Sequence, residues 1–319
     1  MFKDKFKYYK SKNPTPELGR VLNFNSVDPN TRNKVQKVAL PVQDVPVFFG
    51  FKPLESWEVY EIIDRPGLIF IKNPFTILGQ RYWTVRCLKD FSNKPNKSNL
   101  DSAKKIPDNK DWWEMCQNNN VLLLNKLRWV TLGYHHNWDT KVYSESNRGK
   151  FPKDLQEMAS FLATTLGYSR YSAEAAIINY YHMDSTLSGH TDHSERNLAA
   201  PLFSFSFGQT AIFLIGGPTL QDIAIPLFIR SGDIVVMSKE SRLCYHGVPK
   251  ILQVDNRMWC SLEQGSDKLV PKDYKETVDI CKDENLWKPF GSYLTHSRIN
   301  INVRQVLFEG EKLLEIGSS

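Results

Sequence analysis

Residues 298–304, Arg-Ile-Asn-Ile-Asn-Val-Arg, alternate strictly between polar and branched apolar side chains. An extended strand sends successive side chains to opposite faces, so this period of two predicts a β-strand. Ile299, Ile301 and Val303 share one face, and Arg298, Asn300, Asn302 and Arg304 share the other. An exposed edge strand usually mixes acids with bases. This polar face has two cations, two amides and no acid, and so it is arranged to hold an anion. The two arginine Cα atoms stand about 20 Å apart along an extended chain. Their side chains, leaning inward, leave a gap that a small dicarboxylate would fill.

Similar short strands precede it. Residues 174–181, 202–207, 211–215, 222–229 and 234–237 read as strands, joined by turns at Gly208 and Gly232, with the last strand running over 298–307. Short strands with Gly- and Pro-rich joints suggest an antiparallel sandwich or barrel. Residues 255–296 interrupt the pattern as a polar insert with a helix near 277–287. Upstream, 152–167 is an amphipathic helix with Leu155, Met158, Ala159, Leu162 and Leu166 on one stripe. Residues 67–74 read as a strand and turn, 82–91 as a helix, and 56–63 as a short helix capped by Ser56. The first fifty residues read as irregular and 92–120 as a polar surface loop. These readings divide the chain into an N-terminal extension (1–120), a core (121–310) and a tail (311–319).

Composition narrows the class. Eight Trp, 13 Tyr and 18 Phe in 319 residues support a large core without disulfides. No apolar run reaches the length of a membrane span, and the first residues lack the pattern of a secretory signal. Asp4 and the absence of Arg before Arg20 argue against a mitochondrial presequence. Five cysteines with no Cys-x-x-Cys spacing point to a reducing compartment and exclude the common zinc-finger frameworks. The net charge of +6 is mild, but it is concentrated. Residues 81–110 hold eight Lys/Arg against three Asp, and the first twenty residues hold six against two. Both stretches are suited to phosphates, and so to a nucleic-acid partner.

Two of the seven histidines begin a His-x-Asp triplet: His182-Met-Asp184 and His190-Thr-Asp192. On a strand, residues i and i+2 face the same way, which supplies two ligands of a two-His-one-carboxylate iron site. The third would be a distant histidine, and His246, after the strand at 234–237, is placed for it. Spacing alone does not choose between the triplets. A zinc hydrolase uses similar ligands but has no use for the twin-arginine strand.

The set His190-x-Asp192, His246 and Arg298-x-Asn300-x-x-x-Arg304 resembles the signature of the AlkB family of iron and 2-oxoglutarate dioxygenases. Asn179-Tyr-Tyr181 reproduces that family's N-x-Y before the first metal histidine, and Leu187-Ser188 stands where the family has L-S. This register selects His190 and Asp192 over His182 and Asp184. Leu127-Arg-Trp129-Val-Thr-Leu-Gly133-Tyr134 resembles the family's nucleotide-recognition segment. The likeness covers about residues 50–308 and is greatest to the animal homolog 1 branch.

The resemblance implies an α+β fold with a mainly β core. That core is a double-stranded β-helix, or jelly roll, with an N-terminal helical and nucleotide-recognition extension. It implies Fe(II) on His190, Asp192 and His246, with O2 as co-substrate. It implies 2-oxoglutarate held at its distal carboxylate by Arg298, with Arg304, Asn179, Tyr181 and Asn300 completing the pocket. The implied reaction removes a methyl group from an unpaired or flipped base of RNA, such as tRNA, or of DNA, releasing formaldehyde, succinate and CO2. Trp129 and Tyr134 would clamp the base, with His136 beside them. The expected protein is a monomer of the nucleus, mitochondrion or cytoplasm with no membrane association. One departure bears on substrate. Where several members carry an acid four residues after the first metal histidine, this chain has Ser194, flanked by His193 and Glu195. Glu195 is the candidate replacement. An oxygenase acting on protein side chains and an inactive nucleic-acid-binding homologue are the alternatives. The basic stretches and the Trp129–Tyr134 segment favour nucleic acid, and the intact ligand set favours an enzyme.

Overall fold

A computed structural model describes the chain except for residues 27, 42–44, 102–105, 108, 118–120, 256, 263–269 and 312–319. In chain order its strands are β1 (Val35–Lys37), β2 (Glu58–Ile62), β3 (Arg65–Lys72), β4 (Lys97–Ser98), β5 (Trp129–Gly133), β6 (Ala175–His182), β7 (Leu187–His190), β8 (Leu202–Gly208), β9 (Thr210–Ile215), β10 (Ile225–Ile229), β11 (Ile234–Met237), β12 (His246–Leu252) and β13 (Ser297–Arg304). They form a nine-stranded sheet in the order β1-β2-β3-β11-β8-β13-β6-β5-β4 and a four-stranded sheet in the order β10-β9-β12-β7. From β6 onward the chain passes between the sheets: β6 large, β7 small, β8 large, β9 and β10 small, β11 large, β12 small, β13 large. That winding is the expected double-stranded β-helix.

β13 lies inside the large sheet, paired antiparallel with β6 (Asn300 opposite Asn179) and with β8 (Asn300 opposite Ser206). Both of its faces are therefore used. Ile299, Ile301 and Val303 are fully buried in the main core with Phe203, Phe205 and Phe207. Helices close over this side: α1 (Phe2–Lys10) and α2 (Pro29–Arg32) lie elsewhere, whereas α3 (Ile77–Val85), α4 (Trp112–Gln117), α6 (Lys153–Thr165), α7 (Lys275–Lys282) and α8 (Glu284–Leu294) supply residues to that core, with α5 (Val121–Leu124) following α4. Each fully buried Ile, Val or Phe contributes about 1.5–3 kcal/mol of apolar transfer. The polar face of β13 turns toward the small sheet, and the site forms between the two.

Several local expectations are corrected. Residues 56–63 are not a helix: a single 3-10 turn at Leu54–Ser56 leads into β2. The pattern of Trp57, Val59 and Ile62 suits either element, and pairing with β1 and β3 on both sides decides for the strand. The first fifty residues hold α1, α2 and β1. The stretch 92–120 is not all surface, because Trp112, Trp113 and Cys116 of α4 are buried in the main core. The helix expected at 82–91 begins at Ile77 and ends in a π-helical turn, Arg86–Asp90. Among its described residues the 255–296 insert holds α7 and α8, with Asp283 capping α8 through the amides of Asn285 and Leu286. Within the N-terminal stretch, β2 and β3 extend the large sheet, β3 pairing with β11. The tail from 312 lies outside the described residues. Among the described residues, no helix is long and apolar enough to cross a membrane.

Candidate active site

β7 and β12 are neighbours in the small sheet, and their register sets His246 opposite His190. The two rings lie 4.4 Å apart between centroids. Asp192 sits two residues beyond the end of β7. Its Oδ2 is 3.5 Å from His246 Nε2, and its Oδ1 is 4.0 Å from His190 Nε2. The imidazoles are oriented from behind: His190 Nδ1 lies 2.9 Å from the Ser188 carbonyl and His246 Nδ1 lies 3.1 Å from that of Cys244. Each Nδ1–H donates to its carbonyl, so each Nε2 turns toward Asp192. Asp192 Oδ2 is buried with no hydrogen-bond partner. One ligand atom from each residue lies within 4.8 Å of the other two. Two imidazoles, one carboxylate and an orphaned carboxylate oxygen fit a divalent iron site with open positions. Protonation states agree. Burial, and then the neighbouring His246, pull His190 down to about 4. Burial alone would raise Asp192, but Arg304 and the two imidazoles hold it well below the usual carboxylate range.

The other triplet does not converge. His182 is buried with its Nδ1 3.3 Å from Ser297 Oγ, and Asp184 is exposed in the turn after β6.

Beside His246, between the sheets, is a narrow pocket lined by Tyr181, Phe213, Met237, Arg298 and Asn300. Arg298 is 3% exposed. Its Nη2–H donates to Ser206 Oγ at 2.7 Å, while its Nε has no partner. Among the described residues it makes no ion pair. Burial pulls it down to about 10, against the opposing pull of Tyr181 and Asp233. A desolvated guanidinium without a carboxylate is a site for an anion. Asn300 is held by Ser204 Oγ and the Phe205 carbonyl, at 2.9 and 3.0 Å.

Arg304 has a different setting. Its Nη2 lies 2.9 Å from Asp192 Oδ1 and its Nε 3.2 Å from Glu195 Oε1. The two arginines differ in setting: Arg304 is ion-paired with both carboxylates, although its Nε, like that of Arg298, makes no hydrogen bond. Glu195 is only 5% exposed, and its other oxygen pairs with Arg242 at 2.9 Å. It is a buried bridge between two guanidinium groups and is not free to read a base. Arg242 also donates to the carbonyls of Asp192 and Ala200, at 2.6 and 3.1 Å, tying the segment 192–200 in place.

On the far side of His190 and Asp192 opens a cleft of about 580 Å3, lined by His136, Trp138, Tyr143, Asn179, Ser194 and Arg304 among others. Trp129 does not line it but packs against Trp138, with ring centroids 5.1 Å apart. Trp138 is 40% exposed. His136 lies between Trp138 and Tyr143, its Nδ1 buried and unpartnered. Burial, then Arg304, pull it down to about 4, so it is neutral at pH 7. Tyr134 does not reach the cleft. It is fully buried among Tyr143, Ala175 and Val306, with its hydroxyl on Glu145 and the Arg148 guanidinium over its ring. Trp138, Tyr143 and Arg242 are the cleft and support residues that motif reading missed. The one available signal was parity: Trp129 and Tyr134 are five apart and fall on opposite faces of a strand.

The basic stretch 81–110 divides: its two arginines are engaged within the protein, whereas Lys94, Lys97 and Lys110 are exposed. Arg81 is buried on Glu284, Arg86 pairs with Asp154 and Asp90, and Lys94 pairs with Asp101. Lys104 and Lys105 lie outside the described residues.

Over residues 67–304 the chain matches the 2OG-Fe(II) oxygenase superfamily. It is 39% identical to the mouse protein named nucleic acid dioxygenase ALKBH1, over 97% of this chain and 85% of that one. It is 30% identical to the Schizosaccharomyces pombe protein named tRNA demethylase abh1, over 82% of this chain and 86% of that one. It is 29% identical to the Arabidopsis thaliana protein named DNA N(6)-methyladenine demethylase ALKBH1A, over 93% and 90%.

Proposed function

The chain belongs to the AlkB family within the 2OG-Fe(II) oxygenase superfamily, and from that premise we propose how its residues divide the work of demethylating nucleic-acid bases. The observation that carries the reading is the cluster of His190, Asp192 and His246 set between two cavities. One holds an unpaired buried arginine; the other is an open aromatic cleft. His190, Asp192 and His246 hold Fe(II), and Arg298 receives the distal carboxylate of 2-oxoglutarate, with Tyr181 and Asn300 beside it. Iron, 2-oxoglutarate and O2 supply oxidation of a methyl C–H bond, with succinate and CO2 as co-products.

Arg304 fixes the rotamer of Asp192 and keeps it ionised, and Glu195 and Arg242 hold Arg304 in turn. The methylated base enters the cleft on the other side. Trp138, backed by Trp129, offers a stacking face, and His136 packs beside it at the wall. A base inside a duplex cannot reach this depth, so the substrate is an unpaired or flipped base. The relatives named for tRNA and for DNA support a substrate of either kind.

The test is nucleoside mass spectrometry on cellular RNA and DNA incubated with the purified protein, with and without 2-oxoglutarate, beside Asp192→Ala. A methylated nucleoside should fall only with 2-oxoglutarate and only with the intact protein. No change in any methylated nucleoside would refute the reading.

A further inference from the structure

Gly189 immediately precedes His190. Its backbone is not in the left-handed region, so conformation does not require glycine there. Space does. A Cβ at Gly189 would fall 3.0 Å from Cδ1 of Phe2 and closer still to Cε1. A Cβ at Gly216 would fall 2.9 Å from Cδ2 of the same ring. Phe2 opens α1 and is 1% exposed. Its N–H donates to the Leu220 carbonyl at 3.1 Å, and its ring centroid lies 6.5 Å from that of Tyr245, the residue before His246. Gly216 in turn donates its N–H to the Tyr245 carbonyl at 2.7 Å. One ring thus abuts Gly189, next to His190, and Gly216, whose N–H holds the carbonyl next to His246. The rest of α1 is anchored on the outer side of the small sheet, where Phe2 and Tyr9 pack with Ile212 and Leu214. Lys250 Nζ donates to the Ser11 carbonyl just past the helix, at 3.0 Å.

We propose that Phe2 is a positioning residue of the iron site. Wedged behind β7 and β12, it sets the separation of the Gly189–His190 and Tyr245–His246 backbones, and the two glycines form the seat for its ring. The proposal rests on His190 and His246 being iron ligands. Phe2 does not touch the imidazoles; it acts through the strands that carry them.

The experiment is anaerobic Mn(II) titration of the full chain, reading free Mn(II) by electron paramagnetic resonance, beside the melting temperature of the metal-free protein. Gly189→Ala pushes a methyl into the Phe2 ring and should weaken Mn(II) binding about tenfold, the scale of a lost supporting contact. Phe2→Leu, which keeps an apolar plug but removes the ring edge, should weaken it by about threefold. In the double variant the smaller side chain makes room for the added methyl. Binding should return to within about threefold of the parent, which is non-additive. Gly189→Ala binding like the parent would overturn the wedge, as would a double variant binding no better than Gly189→Ala alone. A lowered melting temperature with unchanged Mn(II) affinity would reduce Phe2 to ordinary packing and also overturn it. His190→Ala separates the two ideas: if it binds Mn(II) as tightly as the parent, the iron assignment itself falls, and the wedge with it.

Discussion

Replacing Arg298 by Met should separate stability from co-substrate binding. In the metal-free, ligand-free protein Arg298 is a buried cation with one good hydrogen bond, to Ser206 Oγ at 2.7 Å, and an unpartnered Nε. Burial depresses its pKa to about 10. From the ordinary arginine value that depression corresponds to roughly 3 kcal/mol held against the unliganded fold, as an upper bound. Met has a similar length and no charge to desolvate. Exchanging a buried ion for an apolar side chain is commonly neutral or stabilising. The melting temperature of the unliganded Arg298→Met protein should therefore equal or exceed that of the parent. Co-substrate binding should move the other way. Truncating one partner of a buried charge pair costs about 2–5 kcal/mol, so the apparent KM for 2-oxoglutarate should rise at least about 30-fold. Arg298→Lys should recover only part, because it keeps the charge but loses the two-pronged fork. Iron content should stay at the parent level, since none of the hydrogen bonds of Arg298 reaches His190, Asp192 or His246. The assays are succinate release at varied 2-oxoglutarate, metal content by atomic absorption, and thermal melts with and without 2-oxoglutarate. A variant with parental dependence on 2-oxoglutarate would refute the assignment. A variant that melts well below the parent before ligand is added would refute the account of an unpaired charge held for binding.

Four further outcomes follow from the same geometry. Asp192→Ala should lose iron by atomic absorption while Asp184→Ala, altering an exposed turn, retains it; the reverse pattern would restore the other triplet. Glu195→Ala leaves Arg242 and Arg304 buried without their shared carboxylate. A break of that kind costs about 3–5 kcal/mol and should lower the thermal midpoint markedly, whereas Ser194→Ala on the cleft rim should leave the melt unchanged. Trp138→Ala removes a stacking face worth about 1–3 kcal/mol per base, so KM for a methylated oligonucleotide should rise about tenfold with KM for 2-oxoglutarate unchanged. Burial holds His135 and His136 at about 4 in the fold, below their ordinary value near 6.5. The unfolded chain then binds more protons across that window, so stability is full above about pH 6.5 and is lost as pH falls toward 4; urea midpoints against pH should show this slope, and His135→Gln should flatten part of it.

What could be read from the chain divides along the range of the forces involved. β13 was legible because one face meets the apolar core and the other a polar pocket, which forces a period of two onto its residues. Helix α6 was legible because one face meets the core and the other meets water. The segment at 56–63 was ambiguous because Trp57, Val59 and Ile62 suit either element, and its fate rests on hydrogen bonds to β1 and β3. Trp112 and Trp113 were hidden by the polar composition around them, although two adjacent tryptophans rarely serve a solvated loop. The inward turn of Tyr134 was legible in part. A strand through Trp129 puts Tyr134 on the opposite face, and Gly133, with φ +69, ends that strand and turns the chain into the small core around Val306.

The twin arginines mark where legibility ends. In the sequence Arg298 and Arg304 are equivalent: same strand, same face, no acid between them. In the fold, Arg304 meets Asp192 and Glu195, supplied from a loop more than a hundred residues earlier in the chain, and its charge is spent on holding a metal-binding carboxylate. Arg298 meets only a serine hydroxyl and backbone carbonyls, and its charge remains to be answered. Periodicity finds both cations but carries no information about their partners, because partners come from strands that pair across long separations. The two cations therefore divide by ion pairing rather than by residue type: the paired arginine braces Asp192, and the unpaired one is where we propose the co-substrate binds.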